Sequence, residues 1–263
     1  MLIRGLIPMA LCIVAASLSL ASCNPPPPVA SQAINCTATR AQAGDDVPRV
    51  AVLIQPADNS AETAEKVADD VVNWLRPHLD HADEIRVTGF IYGGLGQNVR
   101  AVTCMDGAEA YVLAGSDSTR TRERREGVLS SIRHSIVHDV RYLTPSERAS
   151  DPLPLLRQIA DRREREILLW STFYTQGETA DCLQIAKGTP ATVEEADNVI
   201  ANCAPGRIPR VSGVRSVRIL GISWKSPENP RAGNIEEAAL FSRRLAERLC
   251  ERSFGPDANC SVL

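Results

Sequence analysis

The residues with the most definite chemistry in the body of this chain are six cysteines: Cys36, Cys104, Cys182, Cys203, Cys250 and Cys260. Thiols in this number either pair or hold zinc. A zinc site calls for close ligand pairs of the CxxC or CxxxC kind, and none occurs, so disulfides in an oxidising compartment are the expectation. Many pairings are formally open. Proximity along the chain favours Cys250–Cys260 and Cys182–Cys203, and leaves Cys36–Cys104. His134 and His138 stand at i, i+4 spacing, which can ligate zinc, but no third ligand can be named and they read as solvated residues. None of the four histidines (His78, His81, His134, His138) falls in a loop where a ligand is expected, which argues against acid–base catalysis by histidine. No GxSxG elbow accompanies any serine. Gly93-Gly94-Leu95-Gly96 lacks both the GxGxxG pattern and the strand-to-helix setting of a nucleotide loop, and reads as a turn.

The N-terminus carries a second kind of chemistry. Arg4 supplies a positive start, Leu6 to Leu20 is an apolar run too short to span a bilayer comfortably, and the run ends in Leu20-Ala21-Ser22-Cys23. This ending resembles the bacterial lipobox, in which small residues precede the cut and the cysteine thiol accepts a lipid. The resemblance implies a signal peptide over residues 1–22, lipidation of Cys23 with acyl chains such as palmitate, and attachment to a membrane. Asn24 rather than Asp favours delivery to the outer membrane in a Gram-negative host, facing periplasm or exterior. Residues 23–45, opening with Pro25 to Pro28, predict a stiff, extended tether.

The tether leads into strands alternating with helices. Arg49 to Gln55 (RVAVLIQ) is a buried strand by length and Val/Ile content. A helix is predicted from about Ala61 to Arg76, with its apolar residues at i, i+3, i+4, i+7 and Pro77 stopping it. Glu84 to Tyr92 and Asn98 to Cys104 flank a glycine loop and predict a hairpin. Long and short helices follow at about Ser118 to Leu143 and Pro154 to Asp161, then a buried strand at Glu166 to Trp170 (EILLW). A polar insertion, about 175–210 and bearing the Cys182–Cys203 pair, includes one short helix near Thr192 to Ala201. Ser216 to Ser223 is the next strand, Asn234 to Arg252 an amphipathic helix, and Cys260 to Leu263 a final edge strand.

That order predicts one α/β domain over residues 46–263: an open, doubly wound, mostly parallel sheet with one antiparallel edge hairpin, Rossmann-like in class. Such sheets bind ligands at the carboxyl ends of their strands. In element order the stretch Val47 to Leu263 resembles the von Willebrand factor A (vWA) family, especially its degenerate forms in exported bacterial proteins. The resemblance implies an adhesion site in which an Asp-x-Ser-x-Ser turn, a Thr from a second loop and an Asp after the fourth strand hold Mg²⁺ for a partner's carboxylate. Gln55 falls where the first Asp belongs. Asp58, Ser60 and Glu62 offer oxygens later in the turn, Ser150 with Asp151 stands in for the Thr, and after EILLW come Ser171 and Thr172, with Thr172 where the last Asp would fall. The set is short of a carboxylate, so the expectation is no cofactor, Mg²⁺ being the one ion the resemblance implies. Asp58 and Ser60 read equally as turn and helix cap.

Composition narrows the partners. Twenty-nine Lys and Arg against 32 Asp and Glu give a mildly acidic chain, with no reason to expect nucleic acid. Aromatic content of 4% leaves few stacking platforms for sugars or bases. The expectation is a non-enzymatic, lipid-tethered module that binds another envelope or extracellular protein or acts as a scaffold. The alternative is an exported enzyme or small-ligand-binding lipoprotein on a Rossmann-like sheet, which would need a deep pocket with convergent polar groups.

Overall fold

Val50, Val52 and Ile54 face one side of the first long strand and Ala51 and Leu53 the other, and all five are buried, so this strand needs cover on both faces. The computed structural model describes residues 36, 40–41, 46–94, 97–143, 151–173, 182–183, 191–222 and 235–263. In chain order the elements begin β1 (Arg40–Ala41), β2 (Arg49–Gln55), α1 (Ala61–Asp80), β3 (Glu84–Ile91), β4 (Arg100–Asp106), β5 (Ala110–Val112) and α2 (Ser118–Arg141). They continue α3 (Leu153–Ile159), β6 (Glu166–Ser171), α4 (Val193–Ala201), β7 (Ser216–Leu220), α5 (Ile235–Phe254) and β8 (Asn259–Val262).

The sheet is mostly parallel, and the fold is α/β and Rossmann-like. β3, β2, β6, β7 and β8 lie side by side in that order, all parallel. β4 returns antiparallel on the outer edge of β3, the expected hairpin. Beyond it the structure adds two short elements that the sequence did not announce: β5 pairs antiparallel with the start of β3, and β1 with β5. β1 lies inside the stretch read as tether. The turn between β4 and β5 needs glycine, because Gly107 has φ +68° and a Cβ there would meet the Thr88 hydroxyl at 2.1 Å. β4 is protected at its free edge, where the Thr103 N–H donates to Asp139 of α2 at 2.7 Å.

Helices cover both faces. α1 and α2 pack on Val50, Val52, Ile54, Leu168 and Trp170, and α3, α4 and α5 pack on Ala51, Leu53, Ile167, Leu169 and Ile219. Each large aliphatic side chain so buried contributes about 1.5–3 kcal/mol of transfer free energy. Helix α1 begins where Ser60 caps it, its hydroxyl accepting from the Thr63 N–H at 3.2 Å. It does not stop before Pro77 but runs on to Asp80 with the proline inside. The missing N–H forfeits one bond in the last turn, while continuation buries Leu79 completely. The strand at Ser216 is shorter than expected and ends at Leu220, because Gly221 turns the chain at φ +84°. The short third helix starts at Leu153 rather than Pro154, with the Asp151 carboxylate accepting from the Leu153 N–H at 2.9 Å.

Three disulfides close the structure in the pairing that proximity favoured. Cys36–Cys104, Cys182–Cys203 and Cys250–Cys260 have Cα separations of 5.5, 5.1 and 6.4 Å. The first ties the segment before β1 to β4, the second ties the insertion to the end of α4, and the third joins α5 to β8. Each closes a loop that the unfolded chain would otherwise sample freely.

α4 and α5 are also joined by charge. Asp197 accepts from Arg248 Nε at 2.7 Å and from Arg244 Nε at 2.9 Å, and these guanidinium groups, Arg248 first, lower its carboxyl from an ordinary 3.8 to about 2. A carboxyl held low in the folded state stabilises above its unfolded value and loses that contribution as pH falls through the folded one. Acid titration of thermal stability should therefore show a component lost between pH 3.8 and about 2 that is absent from Asp197→Asn. Equal acid sensitivity of the two proteins would remove this clamp from the account.

Candidate functional site

The chain runs from β2 outward to β3 on one side and returns to β6 on the other, so the topological switch point lies between β2 and β6. Their carboxyl ends, Gln55 and Ser171, are register partners. Both are buried, and the Ser171 hydroxyl donates to Gln55 Oε1 at 3.2 Å while accepting from the Phe173 N–H at 3.3 Å. Thr172 is buried beside them. Phe173 adopts φ +54°, an uncommon conformation for a bulky residue. Its ring is fully buried among the residues under α3–α5, and its carbonyl accepts from the Ser242 hydroxyl of α5 at 3.4 Å.

The other expected rim oxygens serve the fold. Asp58 Oδ1 accepts from the Ser60 N–H at 2.8 Å, an Asx turn, and Ser60 is the α1 cap already described. Asn59 between them donates to the Leu143 carbonyl at 2.9 Å, fastening the turn to the end of α2. Glu62 is exposed in the first turn of α1. Ser150 lies outside the described residues. The structure thus brings Gln55, Ser171 and Thr172 together and gives Asp58 and Ser60 local backbone partners. A hard divalent ion wants several carboxylate oxygens, whereas the strand end offers the Gln55 amide and the Ser171 hydroxyl, already bonded to one another. Among the described residues no three or more His, Cys, Asp or Glu side chains converge as a metal-binding group. This donor set does not fit Mg²⁺.

Of the two histidines spaced for zinc, His134 is exposed and His138 is half-buried, facing Asp139 at 3.1 Å and packed against the Tyr142 ring at a tilt of 41°.

A cleft of about 780 Å³ lies at the opposite end of the sheet, among the amino ends of β2, β3, β6 and β7 and the carboxyl end of α1. Arg49, Arg163, Arg165 and Arg215 line it with His78 and His81. A smaller space of about 390 Å³ adjoins it, sharing Arg49 and Arg163 and adding Arg86 and Arg162. The sequence reading missed this end entirely. The available signal was an arginine at the start of several separate strands.

Glu164 borders the smaller space and is 4% exposed. Burial raises its carboxyl above the ordinary 4.5, an effect opposed by its own backbone N–H, Arg162, the Thr88 hydroxyl and Arg49, while its Oε2 has no hydrogen-bond partner among the described residues. An acid with a raised folded value costs nothing while protonated below 4.5 and destabilises as pH rises through the folded value. Glu164→Gln should therefore raise stability by about 1 kcal/mol near neutral pH, the scale of an unsatisfied buried group, and change it little under acid conditions. Denaturant titration at both pH values checks this; a loss of stability at neutral pH would contradict it.

No protein-family model matches the chain, and a search of curated proteins returns no match.

Proposed function

We propose that this chain is a lipid-anchored cell-envelope lipoprotein whose vWA-like α/β domain holds another envelope or extracellular protein at the carboxyl rim of its sheet, without catalysis and without a divalent ion. Cys23 carries the lipid, and the proline-rich tether sets the domain off from the membrane surface. The observation that carries the reading is the treatment of the rim. Its polar side chains at the switch point, Gln55 and Ser171, are bonded to one another through the Gln55 carbonyl oxygen, and those of the first loop, Asp58 and Ser60, are bonded to the start of α1. A rim so built is a rigid platform. The sheet order, with β4 antiparallel outside β3, β2, β6, β7 and β8, agrees with the element order on which the vWA resemblance rests. Export is supported by the three disulfides. Among the described residues no helix is long and apolar enough to cross a membrane.

A photo-crosslinker placed at Glu62, exposed beside the rim, tests the reading in intact cells. The expected result is a discrete protein adduct that survives chelation of divalent ions and is absent when the crosslinker sits at Asp80, the far end of the same helix. An adduct abolished by chelation, or equal labelling at both ends of α1, would overturn it.

A further inference from the structure

Four neighbouring strands enter the sheet with an arginine at the same level. Arg49 of β2 is the register partner of Arg86 of β3. On the other side the Arg165 N–H donates to the Arg49 carbonyl at 3.2 Å, and the Arg215 N–H to the Arg165 carbonyl at 2.7 Å. The row Arg86–Arg49–Arg165–Arg215 therefore crosses β3, β2, β6 and β7, with strands about 4.8 Å apart. Like charges directly across a sheet repel and destabilise it. Arg163 adds a fifth guanidinium between the two spaces described above.

The acids that line the two spaces are fewer than the arginines. Among the described residues, no hydrogen bond or ion pair engages the side chains of Arg163, Arg165 or Arg215. Glu166, the one acid at the mouth of β6, is already held by His78 Nε2 at 2.8 Å and by the Ser216 hydroxyl at 3.2 Å. Asp46 borders the larger cleft, and Asp161 and the buried Glu164 border the smaller. A cleft of about 780 Å³ is small-molecule sized. Guanidinium forks bind oxyanions through paired N–H donors, and phosphate groups present the charge and the acceptors to engage several at once.

We propose that the arginine row and its cleft form a binding site for a phosphate-bearing ligand with at least two negative charges, at the end of the sheet opposite the protein-binding rim. The site is independent of the rim reading. Such phosphate could belong to a soluble compound or to a phospholipid headgroup, and the chemistry on the protein side is the same.

Calorimetric titration of the full chain in detergent with inorganic pyrophosphate tests the soluble source. Binding of the same protein to vesicles containing cardiolipin, whose headgroup carries two phosphodiesters, compared with phosphatidylcholine vesicles, tests the lipid source. In each arm wild type is set beside Arg163→Gln/Arg165→Gln/Arg215→Gln and beside Arg100→Gln, which removes an exposed arginine at the opposite end of the sheet. Because the anchor is common to all three proteins, a difference between them reports the cleft. The expected result is that the triple variant loses at least tenfold in affinity in one arm while Arg100→Gln is unchanged. The unliganded triple variant should also melt no lower than wild type, since it removes repulsion; the single variant Arg215→Gln, expected to lose part of the affinity, serves if the triple fails to fold. Binding in neither arm, or an equal loss from Arg100→Gln, would overturn the proposal.

Discussion

Replacing Trp170 by alanine is expected to cost about 3–5 kcal/mol, enough to threaten the folded state of a domain of ordinary stability. Trp170 is fully buried near the end of β6, between its register partners Ile54 of β2 and Leu220 of β7. Its ring fills the layer under α1, and its indole N–H donates to Asp70 of α1 at 2.9 Å. Alanine would leave a cavity in the central strands and take one hydrogen bond from the Asp70 carboxylate, which keeps its ion pair with Lys66. Trp170→Phe keeps most of the volume and loses only the N–H, so it should cost less, about 1–3 kcal/mol. Urea denaturation of both variants gives the two numbers. A Trp170→Ala cost below about 1 kcal/mol would mean that the site collapses without penalty, contrary to the packing described.

The second large effect is at Gly221, whose place depends on that ring. With φ +84°, an alanine there pays about 1–2 kcal/mol for the left-handed backbone. Its Cβ would also stand 2.8 Å from a ring carbon of Trp170, and overpacking of this kind costs about 1–3 kcal/mol more. Gly221→Ala should thus destabilise by about 3 kcal/mol. The two contributions separate in a double-mutant cycle. In the Trp170→Ala background the ring is gone, so Gly221→Ala should cost only its backbone share. Strictly additive costs would show that the contact with Trp170 has no energetic weight.

Much of this fold was legible because its central strands are buried on both faces. RVAVLIQ and EILLW are apolar runs that only a covered parallel strand accommodates, and the Val128, Leu129, Ile132, Ile136 stripe of α2 and the caps of α1 repeat helical signals that need no tertiary context. β5 was not legible, since three residues are too few to show a period and its pairing depends on where β3 begins. Pro77 misled because local chemistry ends a helix there, while burial of Leu79 carries it on. At the rim, residue types alone allowed Asp58 and Ser60 to be either ion ligands or caps, and only the partners of their oxygens assign them to the helix start. The arginine row is the clearest case of information absent from local sequence. Arg49, Arg86, Arg165 and Arg215 each look like an ordinary polar strand entry, and their juxtaposition exists only in the register of four strands distant along the chain.

Tethering at Cys23 is the premise on which the proposed role stands, and intact-mass and peptide analysis of the protein from its own membranes tests it most directly. The account predicts a mature chain that begins at Cys23, carries diacylglycerol on its thiol and is released to the soluble fraction by Cys23→Ser. A chain that retains Met1, or a Cys23 recovered without lipid, would contradict it.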